Sequence, residues 1–387
     1  MLHVLLATDV YHPFICGVTR VVDTLVKELP RYGVRVSLMA PASLDVAYVM
    51  RRDSQRNKLL VRSVKLSVLY SGMEVPEIIC GGIASRRLIH EVLGNNDELL
   101  IHAHSPYVVT SLIRITCWST GMRPPIVLTY HTLTNGYIDK KFGVFAGIVS
   151  WFDRVIINNT IRRANAIIFP SMYAVRVLLG YVGTRSFVHK FVKIPNPLDR
   201  KFYDAPPKGA EYYFDELETG GYAIWVGRIS YEKNIQMLIG LFKRLKHRLV
   251  IVGRGPLLRH LKRVSPPNVT FTGFISDEVL ISLLRSARCF IITSSFDNLP
   301  LAVMEAMAQG VPVVSYFMGG HNEYISHGDN GFKFHTIIEA KRYIEKIFSS
   351  DELREEMGEK ARETALIFHP DNIIPKYVRL YERSVRG

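Results

Sequence analysis

The sequence predicts an α/β chain of two domains, each a parallel sheet covered by helices. Three observations carry the prediction. The chain has 387 residues, enough for two separate cores. Short runs rich in Val, Ile and Leu alternate with helix-forming stretches along its length. Several runs end in a glycine-bearing turn that opens a helix, and a strand–helix–strand unit of that kind sets its strands parallel.

Residues 2–8 read as the first strand, and residues 11–20, with Cys16 and Gly17, as a loop leading into a helix over 18–32. Gly33 stops that helix and residues 34–40 form the next strand. Residues 41–97 carry no pattern that assigns a role. Buried strands follow at 98–103 and 125–129, ending in His104-Ser105 and Tyr130-His131-Thr132. In open α/β sheets the ligand crevice lies at the carboxyl ends of strands, so His104 and His131 are site candidates. Residues 166–171 and 191–195 are the last strands of a first domain taken as 1–200. Residues 204–221, with Pro206-Pro207 and Gly220-Gly221, lack periodicity and read as a linker.

The second domain, taken as 201–370, starts with a strand ending in Gly227-Arg228, with Lys233 five residues on. A strand from Arg248 ends in Gly253-Arg254-Gly255; it is not a dinucleotide fingerprint, because Leu258 occupies the third glycine position. Residues 289–293 read as a buried strand and 311–314 as another. Between them Pro300 starts a helix that Gly310 stops. That helix, 301–308, is apolar except for Glu305, a carboxylate that needs either solvent or a partner. Residues 371–385 form a final helix.

Composition narrows the class. Hydrophobic residues make 48% and charged residues 22%, which excludes a largely disordered chain. No run approaches the roughly 20 apolar residues that span a bilayer. The start, Met1-Leu2-His3, lacks a basic lead and reads as a strand, not a signal peptide. Cys16, Cys80, Cys117 and Cys289 have no paired spacing and suit a reduced, cytoplasmic chain. The net charge of +14 is uneven: residues 1–195 carry 23 basic and 12 acidic side chains, the remainder 26 and 23. The first half is therefore expected to meet an anionic surface or substrate. Residues 142–152 hold no charge, and 139–193 hold nine basic and two acidic residues. An interfacial membrane element fits that pattern, as does a buried core helix. No nucleic-acid motif accompanies the charge.

The stretch 296–314 reads Phe296-Asp297-Asn298-Leu299-Pro300-Leu301-Ala302, then Glu305-Ala306-Met307-Ala308, Gly310 and Pro312-Val313-Val314. It resembles the acidic-x7-Glu signature of retaining glycosyltransferases of the GT-B fold, family 4 of the group 1 transferases. Asp297 stands for the usual Glu and Leu299 for the usual Phe, and Cys16 stands where a second loop glycine is usual.

The resemblance implies a GT-B architecture, two Rossmann-like domains facing each other across a cleft, with residues 371–387 crossing back to the first. It implies a retaining transfer of a hexose from a UDP- or GDP-sugar to an acceptor, which the basic first half suggests is lipid or lipid-linked, at the inner face of the cell membrane. By the resemblance, Arg228 and Lys233 clamp the diphosphate, Asp297 binds the sugar and His131 faces it. Glu305 takes the ribose hydroxyls. Gly17, Gly227, Gly253, Phe274, Ile275, Asn298, Leu299, Pro300, Leu301 and Ala302 complete the donor site. With no Asp-x-Asp triplet, neither a metal nor another cofactor is expected, and protein cations stabilise the departing diphosphate. The other readings are a nucleotide-sugar epimerase or phosphorylase on this fold and a non-catalytic nucleotide-sugar-binding protein.

Overall fold

A computed structural model describes residues 1–12, 15–42, 58–62, 98–106, 121, 123–131, 146–183, 185–204 and 221–386. They fall into two compact units: Met1–Pro197 with Pro370–Gly387, and Leu198–His369. Thr132 and most of the expected linker, residues 205–220, lie outside the described residues.

The first unit is a parallel seven-stranded sheet. Its strands are β1 (Leu2–Ala7), β2 (Arg35–Ala42), β3 (Lys58–Arg62), β4 (Glu98–Ala103), β5 (Ile126–Thr129), β6 (Ala166–Phe169) and β7 (Phe191–Lys193). They lie in the order β3-β2-β1-β4-β5-β6-β7. Residues 4–7 of β1 form a continuous apolar run because both faces are covered: Val4, Leu5, Leu6 and Ala7 are all buried. The first helix, α1 (Gly17–Glu28), is shorter than the sequence predicts. Pro30 lacks the N–H that an α-helix needs there, so Leu29–Tyr32 tighten into a 3-10 turn before Gly33 caps it at φ 74°. β3 falls within residues 41–97, a stretch that carries no pattern assigning it a role.

Two further helices are α2 (Ala146–Arg163) and α3 (Met172–Val182). Of the charge-free run, residues 142–145 lie outside the described residues. The remainder begins α2 and is not a buried core helix: Ile148, Trp151 and Phe152 are 60%, 56% and 56% exposed. The C-terminal helix (Pro370–Arg386) belongs to this unit. It lays Ile373, Ile374, Tyr377 and Tyr381 against β4 and β5, and all four side chains are fully buried.

The second unit is a parallel six-stranded sheet. It contains β8 (Tyr222–Val226), α4 (Ile235–Phe242), β9 (Arg248–Val252), α5 (Leu258–Val264), β10 (Val269–Gly273), α6 (Asp277–Ser286), β11 (Cys289–Ile292), α7 (Leu301–Ala308), β12 (Val313–Tyr316), β13 (Gly331–Phe334), α8 (Ile337–Phe348) and α9 (Asp351–Ala365). The order β10-β9-β8-β11-β12-β13 is that of a doubly wound Rossmann sheet, and it reverses between β8 and β11. Both units are therefore Rossmann-like, as the sequence predicts. In the first unit the order reverses between β1 and β4.

Candidate active site

In the second unit the candidate residues gather at the carboxyl ends of the two strands where the order reverses. β8 delivers Gly227 and Arg228, and a 3-10 turn, Tyr231–Lys233, follows. β11 delivers Thr293, Ser294 and the loop that carries Asp297. Two hydroxyls tie these pieces together: Thr293 Oγ1 donates to the Lys233 carbonyl at 2.9 Å and Ser294 Oγ to the Glu232 carbonyl at 3.3 Å. Asn234 closes the turn at φ 52°, a left-handed conformation that Asn tolerates better than most residues. The result is an ion pair, Lys233 Nζ to Asp297 Oδ1 at 2.5 Å.

Burial pushes the Asp297 carboxyl up, but the Lys233 charge and hydrogen bond, with His321 and Ser294, hold it below the usual carboxylate range. Asp297 is thus an anion. His321 was not singled out as a site residue in the sequence. It is fully buried near Asp297, its ring is pushed down to about 4 by burial, and its Nδ1 has no hydrogen-bond partner. The Gly319-Gly320-His321 run was the only available signal. Gly319 has φ 107°, and a Cβ there would stand 2.8 Å from His321 Nδ1 and 3.0 Å from the Asp297 carbonyl. The Gly320 N–H donates to that carbonyl at 2.9 Å, fixing the Asp297 loop.

Pro300 is the N-cap of α7, and the N–H groups of Leu301 and Ala302 have no partner within the helix. They form a receptive end for an anion beside Asp297 and Lys233. Asn298, Leu299 and Leu301 are 8%, 5% and 7% exposed, so these positions offer main chain more than side chain. Glu305 does not reach solvent at the helix edge: it is 3% exposed and partnered. Gly253 has an internal reason to be glycine, since at φ 135° a Cβ would fall 1.9 Å from the Gly227 carbonyl. Phe274, exposed at 52%, and half-buried Ile275 follow the end of β10.

The first unit holds Gly17 and His131. Gly17 opens α1, and the space where a Cβ would stand is empty. His131 follows β5 and is half-buried. Its Nε2 lies 2.9 Å from Nδ1 of His104, which follows β4, and the two rings are near-parallel with centroids 5.2 Å apart. Burial pushes His131 down to about 4 and His104 well below its usual range, so both are neutral at pH 7. His102, absent from the sequence prediction, supports the pair. Its centroid is 4.2 Å from that of His104, and its nitrogens lie 2.7 Å from the Thr129 and Tyr381 hydroxyls. Among the described residues no cluster of three His, Cys, Asp or Glu could hold a metal ion.

Two family models match the chain: "Glycosyltransferase Family 4" over residues 15–202 and "Glycosyl transferases group 1" over residues 215–364. A GDP-mannose-dependent alpha-mannosyltransferase of Corynebacterium glutamicum is 24% identical over 335 residues, covering 85% of this chain and 76% of that one. An alpha-monoglucosyldiacylglycerol synthase of Streptococcus pneumoniae is 24% identical over 338 residues, 80% of this chain and 70% of that one. The crystal structure of Anabaena HepE with UDP-glucose is 18% identical, with a TM-score of 0.76 over 99% of this chain and 100% of that one. One family model spans most of the first unit and the other most of the second, and the chain belongs to the group 1, family 4 glycosyltransferases of the GT-B fold.

Proposed function

We propose that the protein moves a hexose from a UDP- or GDP-sugar to a lipid or lipid-linked acceptor with retention of anomeric configuration. The observation that carries this reading is Lys233 Nζ on Asp297 Oδ1 at 2.5 Å beside the open end of α7. There a cation and helix N–H groups receive a diphosphate, while the adjacent carboxylate accepts from sugar hydroxyls. Arg228 adds a planar fork for phosphate oxygens, and Glu305 accepts from the ribose. The main chain around Gly227, Gly253, Asn298, Leu299, Pro300 and Ala302 lines the donor, with Phe274 and Ile275 toward the base. Gly17 is a further proposed donor contact. Relatives named for GDP-mannose and for a glucosyldiacylglycerol support the donor and acceptor classes.

Retention follows from same-face attack. The bond from the anomeric carbon to the diphosphate breaks as the acceptor oxygen bonds to that carbon from the same side. The acceptor proton passes to the departing phosphate oxygen. Lys233, Arg228 and the end of α7 stabilise the charge that builds on the diphosphate. The neutral ring of His131 orients the sugar, and its main-chain carbonyl faces the positive charge that develops on the sugar ring.

The acceptor reading is supported by α2. Ile148, Trp151, Phe152, Val155 and Ile156 recur at helical spacing on one exposed stripe, flanked by Arg154, Arg162 and Arg163. An apolar stripe with basic flanks matches an anionic lipid surface. No helix among the described residues is long and apolar enough to cross a membrane, and the contact proposed here is a peripheral one.

The test incubates the full chain with UDP-glucose, UDP-galactose and GDP-mannose in the presence of a lipid extract. Nucleotide diphosphate release and a glycolipid with the donor's anomeric configuration by NMR are expected. No release with any donor overturns the transferase reading, and an inverted first product overturns retention.

A further inference from the structure

We propose that His104 is the positioning residue that sets the tautomer of His131: its Nδ1–H donates to His131 Nε2, leaving Nδ1–H of His131 to face the sugar. This deepens the reading of His131 given above and rests on it. The two nitrogens are 2.9 Å apart with near-parallel rings, so one must donate and the other accept. His104 decides which. It is 3% exposed, and its remaining nitrogen, Nε2, has no partner among the described residues. If His131 donated, the His104 proton would sit on Nε2, an N–H buried without an acceptor. If His104 donates, Nε2 is a bare lone pair, and a buried acceptor without a partner is tolerated better than a buried N–H.

The setting holds His104 in that role. Its main-chain N–H donates to the Ala7 carbonyl at 2.7 Å, fixing the strand end. Its ring lies on His102, which the Thr129 and Tyr381 hydroxyls brace from either side. Thr160 of α2 donates to the Pro106 carbonyl at 2.9 Å, anchoring the loop that leaves β4. His131 accordingly meets its ligand as a hydrogen-bond donor at Nδ1, matched to a hydroxyl oxygen of the sugar.

The experiment labels the histidines of the full chain with nitrogen-15 and reads which ring nitrogen of His131 carries the proton, the signal being assigned by its loss in His131→Ala. In the wild type Nδ1 is protonated and Nε2 bare. His104→Asn, whose amide stands where Nδ1 stood, keeps that state, and His104→Phe moves the proton toward Nε2. In parallel, kcat for nucleotide release from UDP-glucose or GDP-mannose falls about tenfold in His104→Phe, with donor KM unchanged, and recovers in His104→Asn. A wild-type His131 protonated on Nε2 overturns the proposal, and so does an unaltered kcat in folded His104→Phe. The wild-type spectrum decides the tautomer without any variant having to fold. Absence of nucleotide release in the wild type counts against the transferase reading and leaves the spectrum as the judge of the tautomer.

Discussion

Lys233 carries two duties that pull on one ammonium: it neutralises Asp297 and it faces the position proposed for the diphosphate. Its substitution by Ala is therefore expected to weaken UDP or GDP binding strongly, as is Arg228→Ala. Losing a desolvated charge contact costs on the order of 2–5 kcal/mol. Calorimetry that returns wild-type affinity in both variants would rule out the clamp. The same change exposes the internal balance of the pair. Burial alone pushes Asp297 up, so without the Lys233 charge its carboxylate becomes a liability. Thermal melts should show that adding Asp297→Asn to Lys233→Ala restores stability, and a double variant that merely adds the two losses would contradict the coupling.

At the scale of elements, α2 shows why a charge-free run left two readings open. Its buried stripe is Asp153, Ile157, Thr160 and Ile161, and its exposed stripe is Ile148, Trp151, Phe152, Val155 and Ile156. Apolar residues thus occupy both faces, and the usual contrast between a wet side and a dry side disappears. Replacing Trp151 and Phe152 by Ser should abolish sedimentation with anionic vesicles at low salt and leave the melting temperature nearly unchanged, since neither side chain is buried in the fold. Each fully buried aromatic is worth about 1.5–3 kcal/mol, so two suffice to lose a peripheral contact. Wild-type protein that stays in the supernatant with such vesicles would remove the membrane surface from the proposal. α7 is the opposite case. Its Pro300 start and Gly310 end were legible because both act through local backbone geometry, and the structure places the helix at Leu301–Ala308.

For the whole molecule, buried neutral histidines make stability depend on acid. His102, His131 and His321 are pushed down to about 3, 4 and 4, and His104 well below its usual value. In the unfolded chain these rings protonate near the ordinary value of about 6.5. Between that value and their folded values the unfolded state holds more protons. The stability they contribute is complete above about pH 6.5 and declines as the pH falls toward 4. The melting temperature should therefore drop steadily from pH 7 to pH 4.5, with three of the four rings acting in the first unit and His321 in the second. A flat profile over that range would mean that these rings do not stay neutral in the fold.

The sequence by itself determined the α/β class and the chain's division into βα repeats, and it singled out Asp297, Glu305, Arg228, Lys233 and His131 as candidates. Those signals are local: a strand's apolar run, a glycine turn, a fixed spacing along one loop and helix. It left β3 unseen, because its five residues lie in a stretch that carries no recognisable motif, and it carried α1 to residue 32 across Pro30. It also could not tell whether Glu305 meets solvent, since burial depends on what packs over a helix and not on the helix alone. Only the tertiary structure decided which partners meet. His104 and His131 are 27 residues apart in sequence, Lys233 and Asp297 are 64, and Tyr381 and His102 are 279. Such contacts form because parallel strands bring their carboxyl ends to one edge of the sheet, and that edge is assembled from segments that no spacing along the chain connects.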